Sequence, residues 1–214
     1  MSTATEKGAA LAARRIARGA ILAPHLAQGM TSDRREAAKE AASRAQELRT
    51  ALKAGVTRTS VPQLFPTPPD LARRVVDLAG VRPGHRVLEP SAGTGRLLQA
   101  LPLGCNVTAV EISPALARQI GARCADFLVL SPDDLGAFDR IVMNPPFANA
   151  QDVRHILHAR QFLTPGGVLV ALCANGPRQR AALRPLAAQW HDLPPGSFAS
   201  EGTGVNVAML VLES

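Results

Sequence analysis

The chain has 214 residues, of which 46% are hydrophobic and 3% are aromatic, with no Tyr. This length fits one domain with an extension, and the apolar fraction is high enough to bury a sizeable core, which excludes general disorder. The scarcity of aromatic residues argues against an RNA-recognition sheet that depends on many stacking rings.

Positive charge is concentrated at the start of the chain. Residues 1–60 contain 11 Lys+Arg and 5 Asp+Glu, whereas residues 61–214 contain 13 and 12, so the first segment carries nearly all of the net charge of +7. Such a segment suits an acidic partner, and nucleic acid is the commonest one. The alternative is a solvated helical surface that is rich in Arg and Ala.

Residues 1–60 are predicted to form a basic helical N-terminal extension of two helical stretches divided near residues 24–32. The second stretch has Ser32 as N-cap and Gly55 as stop, and its apolar positions are mostly Ala, which favours a surface helix. The Arg- and Ala-rich start is also typical of an organellar transit peptide, an alternative that the sequence leaves open.

Three cysteines lie far apart in apolar segments, at Cys105, Cys124 and Cys173. Their odd number and wide spacing indicate neither a disulfide framework nor a zinc site, which fits a reducing cytoplasm. No apolar run approaches the roughly 18 residues that a membrane helix needs. The sequence therefore predicts a cytoplasmic protein without a membrane segment or a metal.

Residues 61–214 are predicted to form the second domain. It begins with a proline-rich stretch, followed by the helix PPDLARRVVDLAG, which has Leu71, Val75, Val76 and Leu78 on its apolar side. Gly80 ends this helix.

A regular alternation of short apolar strands and helices follows. The predicted strands are HRVLEP, NVTAVEI, CADFLVL, FDRIVMN, GGVLVALC and GVNVAMLVLE, and the predicted helices are GTGRLLQAL, PALARQIGA, AQDVRHILHARQFL and GPRQRAALRPLAAQW. This alternation indicates an α/β fold with a doubly wound, mostly parallel sheet. Because no long helix precedes the last strand, a closing antiparallel hairpin is expected, with Trp190 packed beneath it.

The loop after the first of these strands is a candidate ligand site. The segment VLEPSAGTGRLL places Glu89 at the strand end and Gly93 and Gly95 before a helix, where ligands of doubly wound folds bind. Glu89 would repel a pyrophosphate, and Ser91 stands where the dinucleotide fingerprint has its first Gly. A carboxylate here favours a cationic, amino-acid-like ligand, as S-adenosylmethionine is.

The next two strands also end in acids. Glu111 can accept hydrogen bonds from ribose hydroxyls, Asp126 can accept from an adenine amino group, and Phe127 can flank the ring. Three acids around one glycine loop favour a nucleotide-type ligand over solvated strand-end acids.

The segment FDRIVMNPPFANA ends the fourth strand in Asn144, Pro145, Pro146 and Phe147. The Asn144 side-chain oxygen and the Pro145 carbonyl can accept from the two N–H bonds of an amino group, because Pro146 holds the preceding residue extended. Phe147 can stack on a flat substrate such as an extruded adenine. The alternative is that the prolines only end the strand and Phe147 belongs to the core.

Residues 65–214 together resemble the class I S-adenosylmethionine-dependent methyltransferases. The Asn-Pro-Pro-Phe segment resembles their amino-methylating branch, which contains the DNA adenine-N6 methyltransferases, and FPTPPDLARRVVDLAG resembles the motif that precedes the glycine loop in those enzymes. The resemblance implies a Rossmann-like sheet of seven strands, S-adenosylmethionine as cofactor, and transfer of a methyl group to an exocyclic amino nitrogen, with adenine N6 in DNA as the leading target.

The resemblance also implies roles for individual residues. Asn144, Pro145, Pro146 and Phe147 would bind the target. The cofactor would be bound by Thr67, Glu89, Ser91, Ala92, Gly93, Gly95, Glu111, Ile112, Asp126 and Phe127. The i, i+3 pair His155 and His158 is interpreted as surface histidines, since no acid or Cys at matching spacing would complete a metal site.

Several substrates and one inactive alternative stay open. RNA adenine or guanine amino groups and protein glutamine are targets of similar motifs, and a catalytically silent nucleic-acid-binding or anti-restriction module would retain the same fold. Because the segments after Phe147 are all needed for the sheet, we expect low or short-site specificity. The basic extension at 1–60 would hold the nucleic acid.

Overall fold

The computed structural model describes residues 65–214, so the predicted extension at 1–60 lies outside the described residues. The helices are α1 (Pro69–Leu78), α2 (Arg96–Ala100), α3 (Pro114–Ile120), α4 (Pro132–Leu135), α5 (Gln151–Ala159) and α6 (Pro177–Leu183). The strands are β1 (Arg86–Glu89), β2 (Asn106–Glu111), β3 (Arg123–Cys124), β4 (Phe138–Met143), β5 (Leu163–Ala174), β6 (Gln189–Asp192) and β7 (Val207–Glu213).

The seven strands form one sheet in the order β3-β2-β1-β4-β5-β7-β6. Strands β1 to β5 pair in parallel, and β7 pairs antiparallel with both β5 and β6. This arrangement confirms the predicted doubly wound, mostly parallel sheet and its closing antiparallel strand. The strand order reverses between β1 and β4, and at such a switch point the carboxyl ends of the strands leave room for a ligand.

Helices cover both faces of the sheet. Neighbouring residues of β1 and of β4 point to opposite faces, so Val87 packs with α1 and α2, while Leu88 packs with α5 and α6. In α1 the predicted apolar positions Leu71, Val75 and Val76 are buried. The hydrophobic clusters on the two faces of the sheet therefore hold the ends of β1 and β4 from both sides.

Two predicted elements differ from the structure. The third strand was expected over CADFLVL, but β3 has only two residues, and a 3-10 turn at Phe127–Val129 follows it because the Asp126 side chain accepts from the Leu128 N–H. The helix expected over GPRQRAALRPLAAQW ends in a 3-10 turn at Arg184–Leu186, and its last residues belong to the edge strand β6, which pairs with β7.

Within residues 65–214, none of the helices has the length and apolar character needed to cross a membrane. The same residues contain no group of three or more His, Cys, Asp or Glu side chains that would hold a metal ion.

Candidate active site

A cavity of about 400 Å³ opens at the carboxyl edge of the sheet, around the ends of β1, β2 and β4. This volume lies in the range of sites that bind small molecules. The cavity wall contains the glycine loop after β1, the acid that ends β2, the turn after β3 and the Asn-Pro-Pro-Phe segment. Of the residues that the sequence singled out, only Gly95 does not reach the wall.

Glu89 ends β1 in a fully buried position, with 1% of its surface exposed. The Ser91 backbone N–H donates to its carboxylate, but Oε1 has no hydrogen-bond partner within the described part of the chain. Burial raises the pKa of Glu89 to about 8, and the nearby Glu111 charge acts in the same direction. A buried carboxyl with a free oxygen suits a cationic group of a ligand, which would favour its ionised form.

The glycine loop is held against β2 by Glu111. Its Oε2 accepts from the Gly93 N–H at 2.7 Å, and its Oε1 accepts from the Ser113 N–H at 2.8 Å. Gly95 adopts a φ of +76° immediately before α2, a conformation that an L side chain rarely takes. Since each carboxylate oxygen has a second acceptor position, Glu111 remains able to accept from hydroxyl groups.

The part of the cavity wall that follows β2 and β3 combines an acid with apolar surface. Asp126 is exposed and uses Oδ1 to cap the turn that follows it. Phe127 is 2% exposed because its ring packs edge-on against His158, with centroids 4.9 Å apart, so only a small part of it reaches the cavity. Ile112 is 64% exposed and offers apolar surface that a flat ring would cover.

Asn144 directly follows β4, and its amide has a fixed orientation. Nδ2 donates to the Phe65 carbonyl oxygen at 3.0 Å and to Thr67 Oγ1 at 3.1 Å. Turning the amide over would bring Oδ1 against the Phe65 carbonyl, and two acceptors would then face each other. Oδ1 is therefore the free atom, and it is buried with no partner in residues 65–214.

The residues after Asn144 form a rigid bend. Phe147 packs edge-on against Phe198, with ring centroids 6.2 Å apart, and Phe198 is fully buried in the loop between β6 and β7. Beyond it, Asn149 and Ala150 both have positive φ, at 53° and 55°. Consecutive left-handed residues other than Gly are costly, and strain of this kind concentrates at functional sites.

The predicted site omits several residues of the cavity wall, and the position predicted for one pair of residues is wrong. Phe65, Arg96, Gln151 and Arg154 line the cavity. The surface position expected for His155 and His158 is wrong, because both are half-buried. Helical periodicity within α5 places positions 151, 154 and 155 on one face and could have shown this.

The two histidines have different surroundings. His155 Nδ1 lies 3.5 Å from Ser91 Oγ, and burial is the main reason that its pKa is lowered to about 4. His158 Nε2 lies 2.9 Å from the Leu130 carbonyl oxygen, which it bonds as a donor. His155 therefore belongs to the cavity and His158 to the core beneath it.

Unpaired buried polar atoms concentrate around the cavity. Within the described residues, five buried side-chain N or O atoms have no hydrogen-bond partner: Glu89 Oε1, Thr94 Oγ1, Arg140 Nε, Asn144 Oδ1 and Asn175 Oδ1. The residues Glu89, Thr94 and Asn144 line the cavity. Because native structures rarely leave such atoms unpaired, this concentration indicates that a polar ligand completes the site.

No protein-family model matches the chain. Among curated proteins, it is 36% identical over 104 residues to ribosomal RNA small subunit methyltransferase A of Bifidobacterium adolescentis, covering 45% of this chain and 33% of that protein. It is 42% identical over 88 residues to the type II methyltransferase M.TthHB8I of Thermus thermophilus, covering 38% and 20%. It is also 28% identical over 172 residues to defense against restriction protein B of Escherichia phage P1, covering 64% and 8%.

Solved structures show the same fold. TrmN from Thermus thermophilus aligns with a TM-score of 0.54 and 28% identity, over 68% of this chain and 48% of that one. The EcoKI M protein, from a type I restriction enzyme, aligns with a TM-score of 0.55 and 18% identity, over 72% and 45%. The chain spans about a third of the length of the Bifidobacterium relatives it matches. Its described part has the Rossmann-like fold of the methyltransferases.

Proposed function

We propose that the protein is an S-adenosylmethionine-dependent methyltransferase that transfers a methyl group to an exocyclic amino nitrogen of a nucleic-acid base, with adenine N6 in DNA as the leading target. The observation that carries this proposal is the Asn144 amide. Its N–H groups donate to Phe65 and Thr67, which leaves Oδ1 as a buried acceptor in the cavity wall with no partner among the described residues.

The chain's own residues fit the cofactor. Glu89 offers a buried, unpaired carboxylate oxygen to the ammonium group, and Glu111 is oriented by two backbone N–H groups with acceptor positions left for ribose hydroxyls. Ile112 and the exposed part of Phe127 would cover the adenine, and Asp126 would accept from its amino group. The cofactor, when bound, supplies the methyl group from its sulfonium.

The Asn-Pro-Pro-Phe segment would act on the target nitrogen. The lone pair of an amino group on an aromatic ring is delocalised, and acceptors at both N–H bonds would localise it. Asn144 Oδ1 and the Pro145 carbonyl would be those acceptors, and they would also stabilise the positive charge that develops on nitrogen. Pro146 restricts the backbone of Pro145, so the acceptors need little reorganisation. Phe147, supported by Phe198, would stack on the base.

The identity of the polymer needs its own test. Relatives include ribosomal RNA methyltransferases as well as a type II methyltransferase, so RNA amino groups are the second candidate. Protein glutamine is a weaker one, because it gives no use to the basic extension. A silent nucleic-acid-binding or anti-restriction module would not require the free Asn144 oxygen.

Incubation of the full chain with S-adenosylmethionine that carries a labelled methyl group, together with DNA, RNA or cell lysate, tests the proposal. We expect label in one nucleic acid, and digestion to nucleosides should identify a methylated amino group. Absence of label from every polymer, despite tight cofactor binding, would contradict methyltransferase activity and favour the catalytically silent alternative.

A second experiment tests the partner proposed for the extension. Deletion of residues 1–58 should weaken binding to a nucleic acid and make that binding less dependent on salt. With fewer phosphate contacts, binding releases fewer counterions from the nucleic acid. Unchanged affinity would mean that the extension has another purpose.

A further inference from the structure

Charge is divided between the interior and the rim of the cavity. The carboxyl groups of Glu89 and Glu111 lie in its buried interior, at 1% and 7% exposure. Among the described residues that line it, Arg96 and Arg154 are the two with a positively charged side chain, and both are exposed. The exposed lining also contains one acid, Asp126, so two positive side chains at the rim stand against one negative side chain, whereas the buried carboxyls of the interior suit a cation.

The two arginines reach the rim from opposite faces of the sheet. Arg96 is the first residue of α2, and Leu97 beside it is buried on the α1 face. Arg154 lies in α5, where Ile156 is buried on the other face. Since α2 follows β1 and α5 comes after the bend that ends β4, the arginines flank the cavity at the switch point.

Neither arginine has a hydrogen bond or an ion pair within the part of the chain that the structure describes. Some arginines elsewhere in that part are paired, as Arg73 is with Asp70, whereas exposed arginines such as Arg74 and Arg160 are unpaired too. What sets Arg96 and Arg154 apart is that both line the cavity. Burial is the main reason that the pKa of His155 is lowered, the Asp126 charge opposes this, and the Arg154 charge adds to it, so Arg154 acts on a residue of the cavity wall. Two guanidinium groups at one opening, neither bonded to an acid of residues 65–214, form a candidate anion site that no described side chain fills.

The carboxylate of the cofactor is the first anion to consider. It is bonded to the same carbon as the ammonium group, so it would lie deep in the cavity if Glu89 binds the ammonium. The exposed arginines are better placed for a group that stays outside. When a base leaves its stack and enters a pocket, its backbone phosphates remain at the opening.

We propose that Arg96 and Arg154 bind the phosphates that flank the target nucleotide and thereby position its base over Asn144. This inference rests on the proposed function and specifies how that site holds its polymer. Arg suits the role because its planar donor groups match a phosphate bidentately. Both residues are positioning residues and do not contact the reacting nitrogen.

The test uses the full chain with Arg96→Ala, Arg154→Ala and the matching Lys variants. Arg74→Ala and Arg160→Ala are controls, because both residues are exposed and lie outside the cavity lining. Fluorescence anisotropy would follow the binding of labelled single-stranded DNA and RNA oligonucleotides of the same sequence between about 50 and 200 mM salt. Calorimetry would give the affinity for S-adenosylhomocysteine, and steady-state kinetics would give KM and kcat.

Each Ala variant should lower the slope of log K against log salt by about 0.7, the contribution of one phosphate contact on a single strand. KM for the oligonucleotide should rise while the affinity for S-adenosylhomocysteine stays within about twofold of the parent, and the Lys variants should restore the slope because they keep the charge. Arg74→Ala and Arg160→Ala should match the parent protein.

Unchanged slopes in both cavity variants would overturn the arginine proposal. A tenfold loss of affinity for S-adenosylhomocysteine with an unchanged slope would also overturn it, since it would assign the arginines to the cofactor's carboxylate. Arg-dependent slopes without methylation of any polymer would support the arginines and overturn the methyltransferase proposal alone. No binding to either oligonucleotide would overturn both.

Discussion

Two buried carboxylates in this molecule have opposite surroundings. Asp152, fully buried at the start of α5, accepts from the Ala174 N–H at 2.9 Å, from its neighbour Val153 and from Gln179 Nε2. Glu89 is equally buried at the end of β1, but one of its oxygens has no partner among residues 65–214. Both carboxylates lie near the carboxyl edge of the sheet.

The difference separates a structural group from a binding group. The Asp152 contacts join α5 to the end of β5 and to α6, so that charge is fully used in holding the fold. A buried acceptor without a partner costs about 1–3 kcal/mol. A ligand that bonds the unpaired atoms of Glu89 and Asn144 would remove this cost. The contrast with Asp152 can be tested by substitution at each position.

The largest effect is expected for Asn144→Ala. Loss of the free acceptor should lower kcat by about 100- to 1,000-fold, similar to the loss of one group that stabilises developing charge in other enzymes. The affinity for S-adenosylmethionine should remain close to that of the parent. Asn175→Ala is the matched control, because Asn175 Oδ1 is also buried and unpaired but lies outside the cavity lining. Equal losses in both variants would remove the distinction between binding and structural groups.

The next effect separates the two carboxylates, because a change at Glu89 should alter ligand affinity and a change at Asp152 should alter stability. Glu89→Gln should weaken S-adenosylmethionine binding by about 10- to 100-fold, because a charged hydrogen bond contributes about 1.5–3 kcal/mol, and it should leave the fold stable. Asp152→Ala should lower the free energy of unfolding by about 1–3 kcal/mol for each donor left buried, while the folded protein keeps its affinity. Calorimetry and denaturant melts measure the two quantities. A stability loss in Glu89→Gln as large as in Asp152→Ala would make Glu89 structural.

The raised pKa of Glu89 predicts opposite pH dependences for binding and stability. A cationic ligand favours the ionised carboxyl, so affinity should rise as pH rises towards about 8 and should fall once the ligand's own ammonium group loses its proton. Without ligand, the folded state binds the extra proton between the ordinary pKa of 4.5 and about 8, so stability should fall as pH rises through that window. Thermal melts and titrations across this range check both trends, and Glu89→Gln should abolish both. Affinity that does not change with pH would contradict the assignment.

The smallest effect concerns His155, which is only half-buried. Its pKa is lowered from 6.5 to about 4, so the unfolded chain binds more protons between these values, and stability should fall as pH falls through the window. His155→Phe keeps a ring beside Phe127 and should reduce this acid sensitivity. Denaturant melts at several pH values measure it. If the variant keeps the parent's dependence of stability on pH, burial does not lower the pKa of His155.

Much of the fold could be predicted because its elements repeat a strong local pattern. The apolar runs that became β1, β2, β4, β5 and β7 are bounded by helices or turns, and each formed where expected. The two failures have different causes, one nonlocal and one a local cap that the strand pattern did not reveal. Residues 189–192 join the sheet only because β7 pairs with them, and the third strand is cut short by the Asp126 cap.

The residues that meet at the site could be predicted from the sequence, but the hydrogen bonds that orient them could not. Strand-end acids and the Asn-Pro-Pro-Phe segment predicted which residues would meet, because parallel strands end at one edge. The fixed Asn144 amide depends on Phe65 and Thr67, which are 79 and 77 residues away in the chain. No local pattern encodes such a contact.

The position of β7 between β5 and β6 has a consequence for how the chain is made. All seven residues of β7, Val207–Glu213, pair with β5 and four of them pair with β6, so β6 gains its place in the sheet only after β7 is present. A nascent chain stalled before residue 207 would expose the long apolar edge of β5, and an unpaired edge of that kind is a template for aggregation. We therefore expect such a stalled chain to bind chaperones that recognise extended apolar segments, and release of a few more residues should end that binding.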